Sequence, residues 1–176
     1  MDNIILTHSS PQAQALSQNL GFEKTFFIDQ NVKILEGDDK KQLVRQIDIA
    51  HAKKLLIIYR ATSEEMLRFV LEKTKADLIT GIETIHPKDH LHYPRGGLDN
   101  ILCKIAHDTG KIIGFSFSSL LNSPSTSRGK ILGRMMFNAQ LCQKYKVKTL
   151  FSNFSIDSTD MRSKKDLEAF GRVIGL

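Results

Sequence analysis

LLIIYRATSEEMLRFVLEKTKADLITGI, residues 55–82, carries a strand, a helix and a second strand with almost no chain to spare. The run LLIIYR is apolar without alternation, as in a strand covered on both faces. Thr62 and Glu65 stand at the spacing of a capping box, and Met66, Leu67, Val70 and Leu71 share one helical face. Lys73 and Lys75 fall where the helix dipole favours positive charge, and ADLITGI resumes the strand pattern. Such a unit is a parallel crossover, and it sets the class as α/β.

The same alternation extends in both directions. Upstream, NIILT reads as a strand, and Ser10-Pro11 as an N-cap with proline at the first helical position. That helix shows Ala13, Leu16 and Leu20 on one face and stops at Gly21. KTFFID and VKILEG are further strands, and Leu43, Val44 and Ile47 line a helix. Downstream, HPKDHLHYPRGG is a long loop. GGLDNILCKIAHDTG follows, a helix with Leu98, Ile101, Leu102 and Ile105 on one face that stops at Gly110. KIIGFSF is a strand, and the serine-rich SFSSLLNSPSTS a flexible loop. Ile131, Leu132, Met135, Met136, Ala139 and Cys142 define a long helix, TLFSNF a strand, and Ser163 with Asp166 the start of a last helix before VIGL. About seven strands in parallel connections wind, by the right-handed crossover rule, into an open sheet or a barrel. Periodicity does not separate the two. With no linker, low-complexity tract or repeat, residues 1–176 read as a single domain.

The 25 Lys and Arg against 19 Asp and Glu give a formal charge of +6, which favours a polyanionic partner. Cys103 and Cys142 lie in helical apolar stretches without zinc spacing and read as reduced core thiols. No run approaches the ~18 apolar residues of a membrane span, and the start MDNIILTHSSPQ lacks a signal-peptide layout. The expectation is a cytoplasmic protein that meets no membrane.

In a parallel α/β fold each strand-to-helix junction lies on one rim, where helix N-termini favour anions. Here those junctions carry cations: Arg60, Arg95, Arg128, and then Arg162, Lys164 and Lys165. Each forgoes about 0.3–1 kcal/mol of dipole interaction, and their agreement predicts an RNA phosphate site. Asp157 and Asp160 dilute the last of these junctions. Lys130, Arg134 and Asn138 follow i, i+4, i+8 spacing on the polar side of a helix. They read as a solvated face or as a secondary RNA contact stripe.

The loop HPKDHLH offers His86, His90 and His92 with Asp89 and Glu83 nearby, a set able to bind Zn, Mn or Fe in a metal-dependent phosphoesterase. His8 is the other histidine at a strand end, while Asp29 and Glu36 add none, so no metal site is assigned. His90, His92 and Tyr93, beside Arg95, instead fit contact with an unpaired base. Nucleophile-elbow and phosphate-loop glycine motifs are missing, so no catalytic residue is assigned, and Gly96-Gly97 reads as a structural turn.

KDHLHYPRGGLDNILCKIA, GKIIGFSFSSLLNS, GRMMFNAQLCQKYKV and DLEAFGRVIGL, in this order, resemble the ribonuclease P protein component 3 family of archaea. The turn Arg95-Gly96-Gly97-Leu98, the strand Gly114-Phe115-Ser116 and the Met135-Met136 core pair carry the likeness. The resemblance implies a TIM-barrel-like fold related to metal-dependent phosphoesterases. It also implies a subunit that leaves 5′ cleavage of precursor tRNA to a catalytic RNA, with Mg2+ serving the RNA and no cofactor on the subunit. The implied partners are the ribonuclease P RNA, protein component 2 and the other protein subunits, and precursor tRNA. The first half of the chain carries the family pattern only loosely, which leaves an incomplete barrel open.

Overall fold

The computed structural model describes residues 2–28 and 30–176; Met1 and Asp29, the last residue of the predicted strand KTFFID, lie outside them. Strand and helix alternate as β1 (Asn3–Ile5), α1 (Pro11–Asn19), β2 (Thr25–Phe27), β3 (Val32–Leu35), α2 (Lys40–Ala52), β4 (Leu56–Arg60), α3 (Glu64–Lys73) and β5 (Leu78–Thr80). They continue with α4 (Asn100–Asp108), β6 (Ile112–Ser116), α5 (Phe117–Leu121), α6 (Ser125–Lys144), β7 (Lys148–Ser152) and α7 (Lys164–Ile174). Short polar side chains start most helices by accepting from an otherwise orphaned backbone N–H. Ser10 accepts from Ala13, Asp99 from Leu102 and Ser163 from Asp166. At α3 the cap is Ser63, one residue after the expected Thr62. The Thr62 hydroxyl is drawn off by Asp38, to which it donates at 2.6 Å.

All strand pairs are parallel. Among the described residues they form one sheet in the order β3-β4-β5-β6-β7 and a second of β1 and β2. The two sheets meet where the chain leaves β7: Phe154 N donates to Ile4 O at 2.8 Å and Leu6 N to Ser155 O at 2.7 Å. Among the described residues no strand pairing joins β2 to β3, so the expected barrel is not closed by a ladder on that side.

Residue alternation along the strands sorts the apolar side chains into layers. Tyr59, Ile79, Ile113, Phe115 and Phe151 face the helices and pack with Leu67, Leu71, Met135 and Leu167 in the main core. The opposite faces of all the strands meet in an inner cluster of Ile4, Phe26, Val32, Ile58, Leu78, Ile112 and Leu150, closed by Phe154. Gly114 makes this packing possible, because a Cβ there would lie 2.6 Å from Leu78 Cδ2.

Several expectations need correction. SFSSLLNSPSTS is not a flexible loop: Ser116 caps α5 through Ser119 N, and α5 leads straight into α6. Ile101 is 52% exposed and Met136 38%, while Cys103 and Ala106 take the buried face of α4. Cys142 of α6 is the neighbour of Cys103, and interaction with the Cys103 thiol together with burial pushes the Cys142 thiol up. Both cysteines are free and buried.

Candidate nucleic-acid interface

Parallel pairing places the strand C-termini on one edge, and the predicted cations follow them in the chain. Arg60 ends β4, half exposed, 3.7 Å from Glu36. Arg128 turns back over α5, donating to Leu120 O, Leu121 O and Ser123 O. Its guanidinium thus adds side-chain donors to carbonyls at the end of α5, where the helix cannot supply all of its own. Arg162 donates to Thr159 O and Met161 O and lies 5.9 Å from the Phe117 ring centroid at the start of α5. Arg128 and Arg162 thus contact α5, and Arg60 lines one cavity with Ser119 of that helix. Lys165 is exposed, and Lys164 stands 3.4 Å from Glu23. Asp157 caps a turn through Thr159 N, which holds its carboxyl below the usual range, and Asp160 accepts from Asn122.

Arg162 owes its position to Asn153, which is fully buried. The Asn153 amide accepts from Arg162 N at 2.8 Å and donates to Arg162 O and to Asn3 Oδ1. Its own carbonyl accepts from Ser118 N. One residue thus ties the first strand, α5 and the Arg162 segment together, the first and last through its side chain and α5 through its backbone. In sequence it is an ordinary asparagine after a strand, and no periodicity marks it.

Arg95 is set on the α3 side, 3.6 Å from Glu64. Its loop is held from beneath by α6, where Arg134 is 1% exposed. Arg134 Nε donates to Asp89 Oδ1 at 2.8 Å, and Nη1 to Glu83 O and His86 O, both at 2.7 Å. Asn138 donates to Gly96 O at 2.8 Å, and Lys130, nearer the surface, to Pro87 O at 2.9 Å. At Arg134 and Asn138 the supposed solvated stripe is therefore a buried seam, because the loop carbonyls need donors and α6 supplies them, while Lys130 stays exposed. Arg134 is removed from the candidate RNA contacts on that ground. Gly96 allows the close approach to α6, since a Cβ there would lie 2.9 Å from Phe137 Cδ1, and Gly97, at φ +89, sits where a Cβ would be 2.6 Å from Ile82 O.

The loop histidines are dispersed. His86 is buried, its Nε2 2.6 Å from Glu64 Oε1. His90 packs on Tyr93 with ring centroids 4.4 Å apart, and His92 is exposed. Burial pushes the Asp89 carboxyl up, but the backbone N–H of Arg95 and the Arg134 guanidinium outweigh it and hold it below its usual range. Glu83 is buried beneath the loop, and burial raises it to about 7 against its backbone hydrogen bond, Asn138 and Arg134. Among the described residues no three His, Cys, Asp or Glu groups converge as metal ligands. Leu91 and Tyr93 project from the loop, 92% and 57% exposed.

No family model matches the chain. It is similar in sequence to ribonuclease P protein component 3 of Methanosarcina mazei, at 29% identity over 121 residues, which is 69% of this chain and 47% of that protein. The protein of the same name from Methanosarcina acetivorans is 25% identical over 174 residues, 98% of this chain and 69% of that one. A third, from Thermococcus kodakarensis, is 36% identical over 80 residues, 46% of this chain and 36% of its own length. The matched span is thus about half the length of the Methanosarcina mazei relative. Among solved structures, a chain in the cryo-EM structure of archaeal ribonuclease P with mature tRNA superposes with TM-score 0.76 at 17% identity. That match covers 99% of this chain and 73% of the other, and it establishes a shared fold. Among the described residues no helix is long and apolar enough to cross a membrane.

Proposed function

We infer that this chain, similar nearly end to end to ribonuclease P protein component 3, is a protein subunit of an archaeal-type ribonuclease P. In this reading it assists a catalytic RNA in the endonucleolytic removal of the 5′ leader from precursor tRNA, in the cytoplasm. What supports the reading above all is the alignment of 98% of the chain with a protein of that name. The sheet is then an incompletely closed TIM-type barrel. The isolated subunit is not a catalyst, and the Mg2+ of the reaction serves the RNA. Its partners are the ribonuclease P RNA, protein component 2, the other protein subunits and precursor tRNA.

The RNA-facing surface in this proposal is the strand C-terminal rim, with Arg60, Arg95, Arg128, Arg162, Lys164 and Lys165 as phosphate contacts. Lys130 and the exposed His90, His92 and Tyr93 stand beside it. Arg128 and Arg162 meet carbonyls and an aromatic ring, not carboxylates, in the contacts that hold them, so their positive charge stays available to a phosphate.

Reconstitution tests the reading. Adding the protein and component 2 to the cognate RNA lowers the Mg2+ concentration needed to cleave precursor tRNA. Cleavage by the RNA that is identical with and without the protein refutes it. A variant with Arg60, Arg95 and Arg162 changed to Gln loses about three units of the logarithmic salt slope of RNA binding, near one per phosphate contact.

A further inference from the structure

The inner apolar cluster does not fill the space between the strand ends. At their C-terminal mouth lies a cavity of about 230 Å3, walled by Ile34, Ile58 and Phe154 and reached by Arg60, Thr80 and Ser116. Resting on the reading of the protein as an RNA-binding subunit, we propose that this cavity receives one unpaired base of the bound RNA, with the nucleotide's phosphate held outside by Arg60.

The cavity has the mixed chemistry that a base requires. An extruded base offers two apolar faces and a polar edge, and its pocket supplies apolar walls with a few donors and acceptors. Thr80 is 8% exposed, and its Oγ1 finds no hydrogen-bond partner among the described residues. A hydroxyl so placed can donate to or accept from a base edge. Ser116 Oγ accepts from Ser119 N at 3.0 Å, which leaves its proton free to donate. An inserted apolar side chain from a protein partner leaves the Thr80 hydroxyl still unmatched, so the base is the better occupant.

Size and setting agree. Pockets for drug-sized ligands begin near ~300 Å3, so this one suits a single heterocycle whose sugar and phosphate stay on the rim. Phe154, part of the wall, adopts φ +47, a left-handed conformation rare for a bulky residue. The bond from Phe154 N to Ile4 O holds it there, and Gly114 leaves its ring room, since a Cβ at 114 would come 3.3 Å from Phe154 Cζ. Such conformations persist where the surroundings enforce them, most often at binding and active sites. Ile156, 68% exposed, extends the apolar wall to the surface beside the rim cations.

The test uses the full chain and short single-stranded oligonucleotides carrying 4-thiouridine or 6-thioguanosine, irradiated and mapped by mass spectrometry. The expected result is cross-linking to Phe154 or Ile156. Thr80→Val weakens binding about fivefold to tenfold, the order of one base contact. Ser119→Phe, which plugs the mouth, abolishes the cross-link. Should Ser119→Phe fail to fold, Thr80→Val and the wild-type cross-links still decide. Cross-links confined to residues outside the cavity, or wild-type affinity in Thr80→Val, overturn the proposal. So does a plugged variant that loses component 2 but keeps RNA, which assigns the cavity to a protein side chain. If any of these happens while the protein still lowers the Mg2+ requirement, the base pocket falls and the subunit role stands. If the wild type neither binds RNA nor changes that requirement, both fall.

Discussion

Arg134 and Arg95 are linked through one atom, Asp89 Oδ1, which accepts from Arg134 Nε and from the backbone N–H of Arg95, each at 2.8 Å. A buried cation thereby sets the position of a surface cation. The Asp89 side chain is 28% exposed, so the pair straddles the boundary between core and water. The arrangement makes Arg134 a positioning residue for the loop and not a contact of the interface.

Replacing Arg134 by Met leaves two buried carbonyls without their Arg134 donor and the Asp89 carboxylate with the Arg95 backbone N–H alone. Each buried carbonyl left unsatisfied costs about 1–3 kcal/mol. Urea unfolding shows this as a lower midpoint at unchanged slope. A midpoint within error of the wild type assigns the loop's order to other contacts.

Glu83 gives stability a pH dependence. Its folded-state value of about 7 lies above the ordinary 4.5 because burial disfavours the charged form. The folded state then binds the proton more tightly, so this contribution is complete below about 4.5 and is lost as pH rises through about 7. The full swing is on the order of 3 kcal/mol. Glu83→Gln removes it, so the variant is more stable than wild type at pH 8 and closer to it at pH 5. Parallel denaturation curves at the two pH values check this, and equal differences at both refute it.

Gly97→Ala places a methyl group 2.6 Å from Ile82 O at a positive φ. The left-handed backbone alone costs about 1–3 kcal/mol, and the clash adds to it. Thermal unfolding registers the loss as a fall in Tm. Gly110→Ala, also at positive φ but with nothing within 4 Å, isolates the backbone part and falls less.

Lys165 is exposed at the start of α7, and no ion pair ties it to another described residue. Lys165→Gln lowers the logarithmic salt slope of RNA binding by about one unit and weakens all sequences alike. The melting curve is unchanged. A slope equal to that of the wild type removes Lys165 from the phosphate contacts.

Asn153→Ala takes the donor from Asn3 and the acceptor from Arg162 N in the interior. Unsatisfied buried groups cost about 1–3 kcal/mol each. The variant loses stability and RNA affinity together, because the Arg162 segment is released, whereas Arg162→Gln loses affinity alone. Equal melting curves for Asn153→Ala and the wild type contradict the tie.

The amino-acid sequence by itself determined the succession of strands and helices, the caps at Ser10 and Ser163, and the arrival of Arg60, Arg95, Arg128 and Arg162 after successive strands. These follow from periodicity and from local competition for backbone N–H groups, which act within a few residues. Only the tertiary structure decided that Arg134 and Asn138 are buried. Periodicity reports that a helical face is polar, but whether a distant loop lays its carbonyls on that face depends on contacts more than 40 residues apart in the chain. The capped α5, the unclosed side between β2 and β3 and the cavity at the strand ends were set in the same way, by how the layers pack and what their packing leaves unfilled.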